Sequence, residues 1–336
     1  MFILKSDQPL RSLAAEALDQ GRMPRGVYSA QMGFTLLELL IVIAMLSSLA
    51  LMSVFFVESA DDQARFELTR ARWGQMRYAM VGDANRVLNG ETELYGFVAD
   101  MGRLPNNVQE LVEPPVDVSM RWQARDIPGV TEKIWAGWRG PYLMATPETS
   151  GPIFRDGWGT AGSAPNYGWQ FEKTDTSLTM KSLGKDAKLG GEQYAEDYPT
   201  SGALLEKEDW SVALNGRSIP INFNKPPPTM ATAWALKLTL YFFNGATSGA
   251  GAVEAVDSDP LLISGSEALA RFADDELPVP MGKYAAVLWC VSSATPPIAD
   301  KLFNGDCTAT NPTHALSWIT LLPRRDHNLT MNWTIN

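Results

Sequence analysis

The sequence predicts an α+β chain: a long N-terminal helix that starts as a membrane span and continues as a stalk under a head, and a mainly β C-terminal domain. Three observations predict this. Residues 39–57 carry no charge, residues 66–87 place apolar groups at helical spacing, and the region beyond 201 reads in period two between turn signals. The 336 residues, 45% hydrophobic and 20% charged, suffice for more than one ordinary core. The 22 prolines and 27 glycines point to a loop-rich, mostly β periphery. A net charge of −10 offers no general field for phosphates, so no nucleic acid is expected as a partner.

The uncharged run 39–57 is about 28 Å long as a helix at ~1.5 Å per residue, enough to cross a bilayer. Arg22 and Arg25 precede it, while Glu58, Asp61 and Asp62 follow. The positive-inside bias therefore predicts a single-pass membrane protein with a cytoplasmic N-terminus and extracytoplasmic C-terminal domains. Ordinary signal cleavage is not expected, because Val57, Glu58, Ser59 and Ala60 put acid next to the junction.

Glu38 stands near the start of the apolar segment, where an unpaired carboxylate costs several kcal/mol and reads as functional. The plainer alternative is a carboxylate that snorkels from the end of an ordinary anchor. The run Gly33, Phe34, Thr35, Leu36, Leu37, Glu38 and the apolar stretch after it resemble the processing motif of type IV prepilins and type II secretion pseudopilins. The resemblance implies a leader at 1–33, a prepilin peptidase that cuts between Gly33 and Phe34 and methylates the new amine, and a Glu38 that faces a neighbour's Phe34 ammonium during assembly. Such an ion pair in hydrocarbon is satisfied at one axial stagger only, which makes it a registry device. A start at Met23 would give the short basic leader commoner in that family, with the same cleavage site.

The stalk follows. Phe66, Trp73, Met76, Met80, Ala84 and Val87 form one amphipathic stripe, and no proline interrupts 34–88, so a single helix is expected there. The expected organisation is leader 1–33, transmembrane and stalk helix 34–90, head 91–200 and additional β-rich domain 201–336.

Within the head, Asp100, Met101, Gly102, Arg103, Leu104 and Pro105 precede a short helix expected at 107–112. Gly140, Pro141, Tyr142 and Leu143, and then Asp156, Gly157, Trp158 and Gly159, are similar to signatures of the major pseudopilin, with Gly157 where that family usually has proline. The resemblance implies a pilin fold, in which the long helix packs on a small antiparallel β head. The segment 179–197 is similar to the calcium loop of that family, which implies Ca2+ held by Asp186, Asp197 and the backbone oxygen of Leu183. Oxygen ligands on a glycine-rich turn suit a hard cation, and Glu192 and Glu196 are further candidates. Ala187 and Gln193 stand where glycine is frequent in the family. An acidic surface turn without metal is the competing reading.

Beyond 201 the expectations are a hairpin of 210–214 and 217–223 around a type I′ turn at Asn215-Gly216, sheet strands at 236–243 and 284–290 with one exposed face, and a small sandwich overall. Cys290 and Cys307, in an exported location, are candidates for a disulfide worth about 3 kcal/mol, against the alternative of two buried thiols. No catalytic motif surrounds His314 or His327, and Asp274, Asp275 and Glu276 read as a solvated loop, so an enzyme is not expected. The reading that results is a structural filament subunit, whose partners are prepilin peptidase, other pilins or pseudopilins, an inner-membrane assembly platform and the membrane. The alternative is a minor pilin whose C-terminal domain caps the filament and binds a surface or ligand.

Overall fold

The computed structural model describes residues 35–83, 86–88, 91–92, 94–149, 151–228, 234–245, 253–273, 278–292, 300–303, 305–307, 316–324 and 329–335. Gly33, Phe34, His314, His327 and the acidic run 274–276 lie outside them. The chain divides into two compact units, Met1–Phe56 and Val57–Asn336.

In the first unit, the described residues are helical from Leu36 onward. Thr35 caps the helix: its hydroxyl accepts from the Glu38 amide at 3.2 Å and its carbonyl from the Leu39 amide at 3.1 Å. Among the described side chains the large apolar ones lie open, Leu36 at 82% and Phe56 at 71% exposure. Ser48 and Ser53 return their hydroxyls to the Met45 and Ala50 carbonyls, so neither is left unsatisfied in apolar surroundings. The helix Leu36–Val81 is long and apolar enough to cross a membrane.

In the second unit the helix presents a stripe to the head, with Thr69, Met76, Ala79 and Met80 buried and Phe66 and Trp73 partly so. The helix ends at Val81, short of the expected 88. Gly82 takes φ 71° and returns its amide to the Tyr78 carbonyl at 2.8 Å, a left-handed stop that a side chain would obstruct. Val87–Leu88 instead pairs with Glu91–Thr92. The short helix expected at 107–112 is confined to Gln109–Val112.

Three small antiparallel sheets complete the head: Gln123–Asp126 with Lys133–Ala136, Thr146–Glu148 with Gly151–Ile153, and Gln170–Lys173, Ser177–Lys181 and Leu205–Glu206 in that order. Their core gathers Met76, Met80, Phe97, Leu111, Leu178 and Leu205, and it also takes in Phe243, Met281 and Leu322 from the C-terminal region.

A second core, drawn from residues 212–335, lies between two sheets. One sheet centres on Trp234–Phe243 and Gly282–Ser292, antiparallel with Leu236 opposite Cys290, and adds Val253–Asp257, Lys301–Leu302 and Leu316–Leu321. The other orders Leu262–Ser264, Glu267–Arg271, Ser218–Phe223 and Met331–Trp333, the last pair being parallel. Ile219, Ile221 and Phe223 meet Leu236, Leu238 and Leu240 in one core, so the expected sandwich is present.

Two local expectations fail. Ser211–Val212 pairs with Val279–Pro280, not with the strand Ser218–Phe223. The turn does form, with the Arg217 amide on the Leu214 carbonyl at 2.9 Å, but only Gly216 in it takes positive φ (69°). That excludes type I′, whose twist is what aligns hairpin strands. The central strands are also not open on one face, because Ile127 and Ile134 of the head pack on Tyr241, Ala285 and Val287. The Cys290 and Cys307 sulfurs lie at bonding distance, with Cα atoms 5.6 Å apart.

Candidate functional site

The acidic loop 182–199 leaves the strand Ser177–Lys181 and folds back on itself. Ser182 and Tyr198 close its mouth by exchanging backbone hydrogen bonds at 2.8 and 2.9 Å, and the Lys185 amide reaches the Tyr194 carbonyl at 2.8 Å. Gly184 and Gly191, both at positive φ, press on the Ala195 carbonyl, where an added Cβ would stand 2.6 and 2.4 Å away. This pinch makes 184 and 195 neighbours. It brings the segment carrying Leu183 and Asp186 beside the one carrying Asp197. Ala187 and Gln193, the two positions where the sequence lacks an expected glycine, still adopt left-handed φ of 54° and 55°. Side chains there cost about 1 kcal/mol or more each, so the loop shape persists against local preference.

The donor set fits a hard cation on one specific count. Asp197 Oδ1 is buried and has no hydrogen-bond partner among the described residues, an arrangement that costs about 1–3 kcal/mol unless another group satisfies it. Asp186 holds the Lys188 amide at 3.0 Å through one oxygen and keeps a second. Among the described residues no hydrogen bond reaches the Leu183 carbonyl. Lys185 does not neutralise the loop, since its ammonium turns to the helix and meets Asp62 at 2.7 Å and Glu58 at 3.6 Å. These acids hold the Lys185 amine above its usual range, the hydrogen bond to Asp62 most of all. Glu192 and Glu196 are exposed. Among the described residues no group of three His, Cys, Asp or Glu side chains converges, so a cation here would rest on two carboxylates and backbone oxygen.

The loop is seated on the helix as well. Tyr194 donates to Gln63 at 2.7 Å, and the Phe66 ring meets the rings of Tyr194 and Tyr198 at 6.1 and 5.4 Å. Three further helix side chains reach into the head: Arg72 to the carbonyls of Arg155 and Asp156, Trp73 to that of Met180, and Arg77 to that of Leu204.

The remaining motif residues pin the head from inside. Asp156, buried, accepts from the Thr160 amide (3.0 Å), the Thr160 hydroxyl (2.9 Å) and Ser182 at the loop mouth (2.6 Å). Next to it, the Gly157 amide donates to Thr69 on the helix at 2.9 Å, and a Cβ on Gly157 would stand 2.0 Å from the Arg65 carbonyl. The helix therefore passes too close for the proline usual in the resembling family, which would both clash and remove the donor.

Asp100 links two motifs by accepting from Tyr142 at 2.9 Å and pairing with Arg139 at 3.2 Å. Burial dominates over both partners and raises its pKa to about 6. Asp209 behaves oppositely. Burial pushes its carboxyl up, but Arg77, the Glu206 amide and Arg324 together hold it below the usual carboxylate range. Glu38 is an exposed residue in the first turn of its helix.

Sequence reasoning missed Thr69, and it placed Ser182 within the loop motif without its bond to Asp156. The only signal for Thr69 was a small polar residue at a core position of an otherwise apolar stripe. It also missed the tryptophans Trp122, Trp135 and Trp318, which come together only in three dimensions. No family model, curated protein or solved structure matches the chain.

Proposed function

We propose that this chain is a structural subunit of a type IV pilus-like or type II secretion pseudopilus filament. On this reading a prepilin peptidase cuts between Gly33 and Phe34, the helix anchors the chain in the bacterial inner membrane with its N-terminus cytoplasmic, and an assembly platform adds it to other pilins or pseudopilins. The observation that carries the reading is the contrast along one helix: apolar side chains lie open near its start, while the stripe from Thr69 to Met80 is sealed by a head. Uncovered apolar surface of that extent calls for lipid or for neighbouring helices. Glu38, one turn into that surface, gains a partner when a second copy's N-terminal amine is placed against it.

Co-expression with a prepilin peptidase followed by intact-mass analysis tests this directly. The expected product begins at an N-methylated Phe34, and a chain still carrying its leader overturns the assignment. Glu38→Val should be cleaved but incorporate poorly into filaments, and normal incorporation removes the registry role.

The loop is assigned to Ca2+, with Asp186, Asp197 and the Leu183 carbonyl as ligands. Bound there, the cation supplies positive charge that ties the two limbs of the loop together. Thermal melts in chelator and in calcium should then differ by about 2.7 kcal/mol at a hundredfold excess over Kd, and Asp197→Ala should abolish the difference. Identical melts would leave an acidic turn without metal.

The sandwich, with a disulfide and a core of its own, favours a second reading: a minor subunit that caps the filament and binds a surface or ligand. Labelled filaments imaged at low resolution separate the two, since a cap labels tips only.

A further inference from the structure

Exposed tryptophan is costly to leave in water, so where it collects is informative. Between residues 57 and 336, the exposed large aromatic side chains among the described residues are Tyr78 and three tryptophans: Trp122 (37%), Trp135 (60%) and Trp318 (43%). All three tryptophans line one half-open cavity of about 310 Å³, a volume suited to a small ligand or one or two sugar rings. Trp122 and Trp135 come from the hairpin region of the head and lie nearly parallel, with centroids 6.5 Å apart and planes 29° apart. Trp318 comes from the strand Leu316–Leu321 of the sandwich.

Three cations share the cavity although the chain carries a net charge of −10: Lys133, Arg139 and Lys283. Lys133 is paired with Asp126 at 2.8 Å and Arg139 with buried Asp100. Lys283 has no ion pair among the described residues, and its ammonium stands 4.7 Å from the centre of the Trp318 ring. Arg139 likewise lies 5.0 Å from the Trp122 ring centre. Each side of the cavity thus offers an indole with a cation beside it, and one of those cations has no ion-pair partner among the described residues. The acid on the lining, Asp100, is already committed to Tyr142 and Arg139.

We infer that this cavity binds an acidic saccharide, with a pyranose face stacked on the tryptophans and its carboxylate against Lys283 and Arg139. The negative face of an indole attracts the partly positive C–H groups of a sugar ring. The half-open shape leaves the hydroxyl edge in water, which suits a sugar better than a fully apolar aromatic acid. Lys283, whose ammonium faces the cavity's tryptophan wall, selects an anionic ring over a neutral one. The inference does not depend on filament assembly, because every residue in it lies in the 57–336 unit.

Calorimetric titration of the full chain in detergent micelles with trigalacturonate, maltotriose and phenylacetate tests it. Trigalacturonate should bind saturably and at least about tenfold more tightly than maltotriose, and raising the salt should weaken it. Lys283→Gln should cost about tenfold, and Trp135→Ala, at an exposed position, a similar factor with an unchanged melt. Trp318→Ala repeats the test on the other wall should Trp135→Ala fold poorly. Equal binding of the neutral sugar, saturation by phenylacetate alone, or undiminished binding by Lys283→Gln overturns the inference.

Discussion

The two larger cores of the 57–336 unit face the same problem of a loop-rich chain and meet it by different means. In the head, buried charge is built in. The four buried charged residues among those described, Asp100, Arg125, Asp156 and Asp209, all precede residue 210. Each is wrapped by several partners; Arg125, for instance, donates to the Ser119 and Ala136 carbonyls and stacks 3.8 Å from the Phe243 ring centre. The sandwich instead relies on alternating apolar side chains and one disulfide, and among the described residues its buried polar side chains beyond Ser211, aromatic ones aside, are Thr239 and Ser258. Short irregular segments cannot satisfy one another's backbone groups by a ladder, so in the head side chains do that work. The long strands of the sandwich need no such help.

If this contrast is right, the head should fail on loss of a single polar group. Asp156→Ala leaves three donors without their acceptor and should cost about 3–5 kcal/mol by chemical denaturation; a loss under about 1 kcal/mol would break the comparison. Gly157→Pro, although it restores the residue usual in the resembling family, should destabilise by about 3 kcal/mol or more, read as a fall in Tm.

The pH profile sharpens the contrast within the head. Asp100 binds its proton more tightly when folded, so it lowers stability as pH rises from about 4 to about 6 and holds it level above, a total of about 3 kcal/mol. Asp209, depressed in the fold, has the opposite sign: its contribution is present above the ordinary carboxylate range and is lost as pH falls through its lowered value. Asp100→Asn should remove the first component and leave the second. The sandwich should respond to reductant instead, and Cys290→Ala with Cys307→Ala should cost about 2–4 kcal/mol with no change in pH dependence.

What the sequence makes legible follows the same division. Period-two runs announce Trp234–Phe243 and Gly282–Ser292 because each strand's apolar set must face one core. That both faces of those strands are covered was not legible, since the cover comes from Ile127 and Ile134, more than a hundred positions away. The stripe of Trp73, Met76 and Met80 marks the buried face of the helix, but the helix stop depends on Gly82, a single residue in an otherwise continuous pattern. The loop 182–199 shows its glycines and acids in the sequence. The left-handed Ala187 and Gln193 and the orphaned oxygen of Asp197 are tertiary facts that no local pattern encodes. The tryptophan cavity is of the same kind.

The three side chains that Arg72, Trp73 and Arg77 extend from the helix have a mechanical consequence. Each grips the carbonyl of a different head segment, at 155–156, 180 and 204, with bonds of 2.7–3.0 Å. A pull along the helix axis loads these grips together in shear, whereas a pull across it peels them one after another. Tension transmitted lengthwise is thus shared among three anchor points in the head, so a chain tugged from its N-terminal end should slip from its head only at forces well above those that strip the helix off sideways.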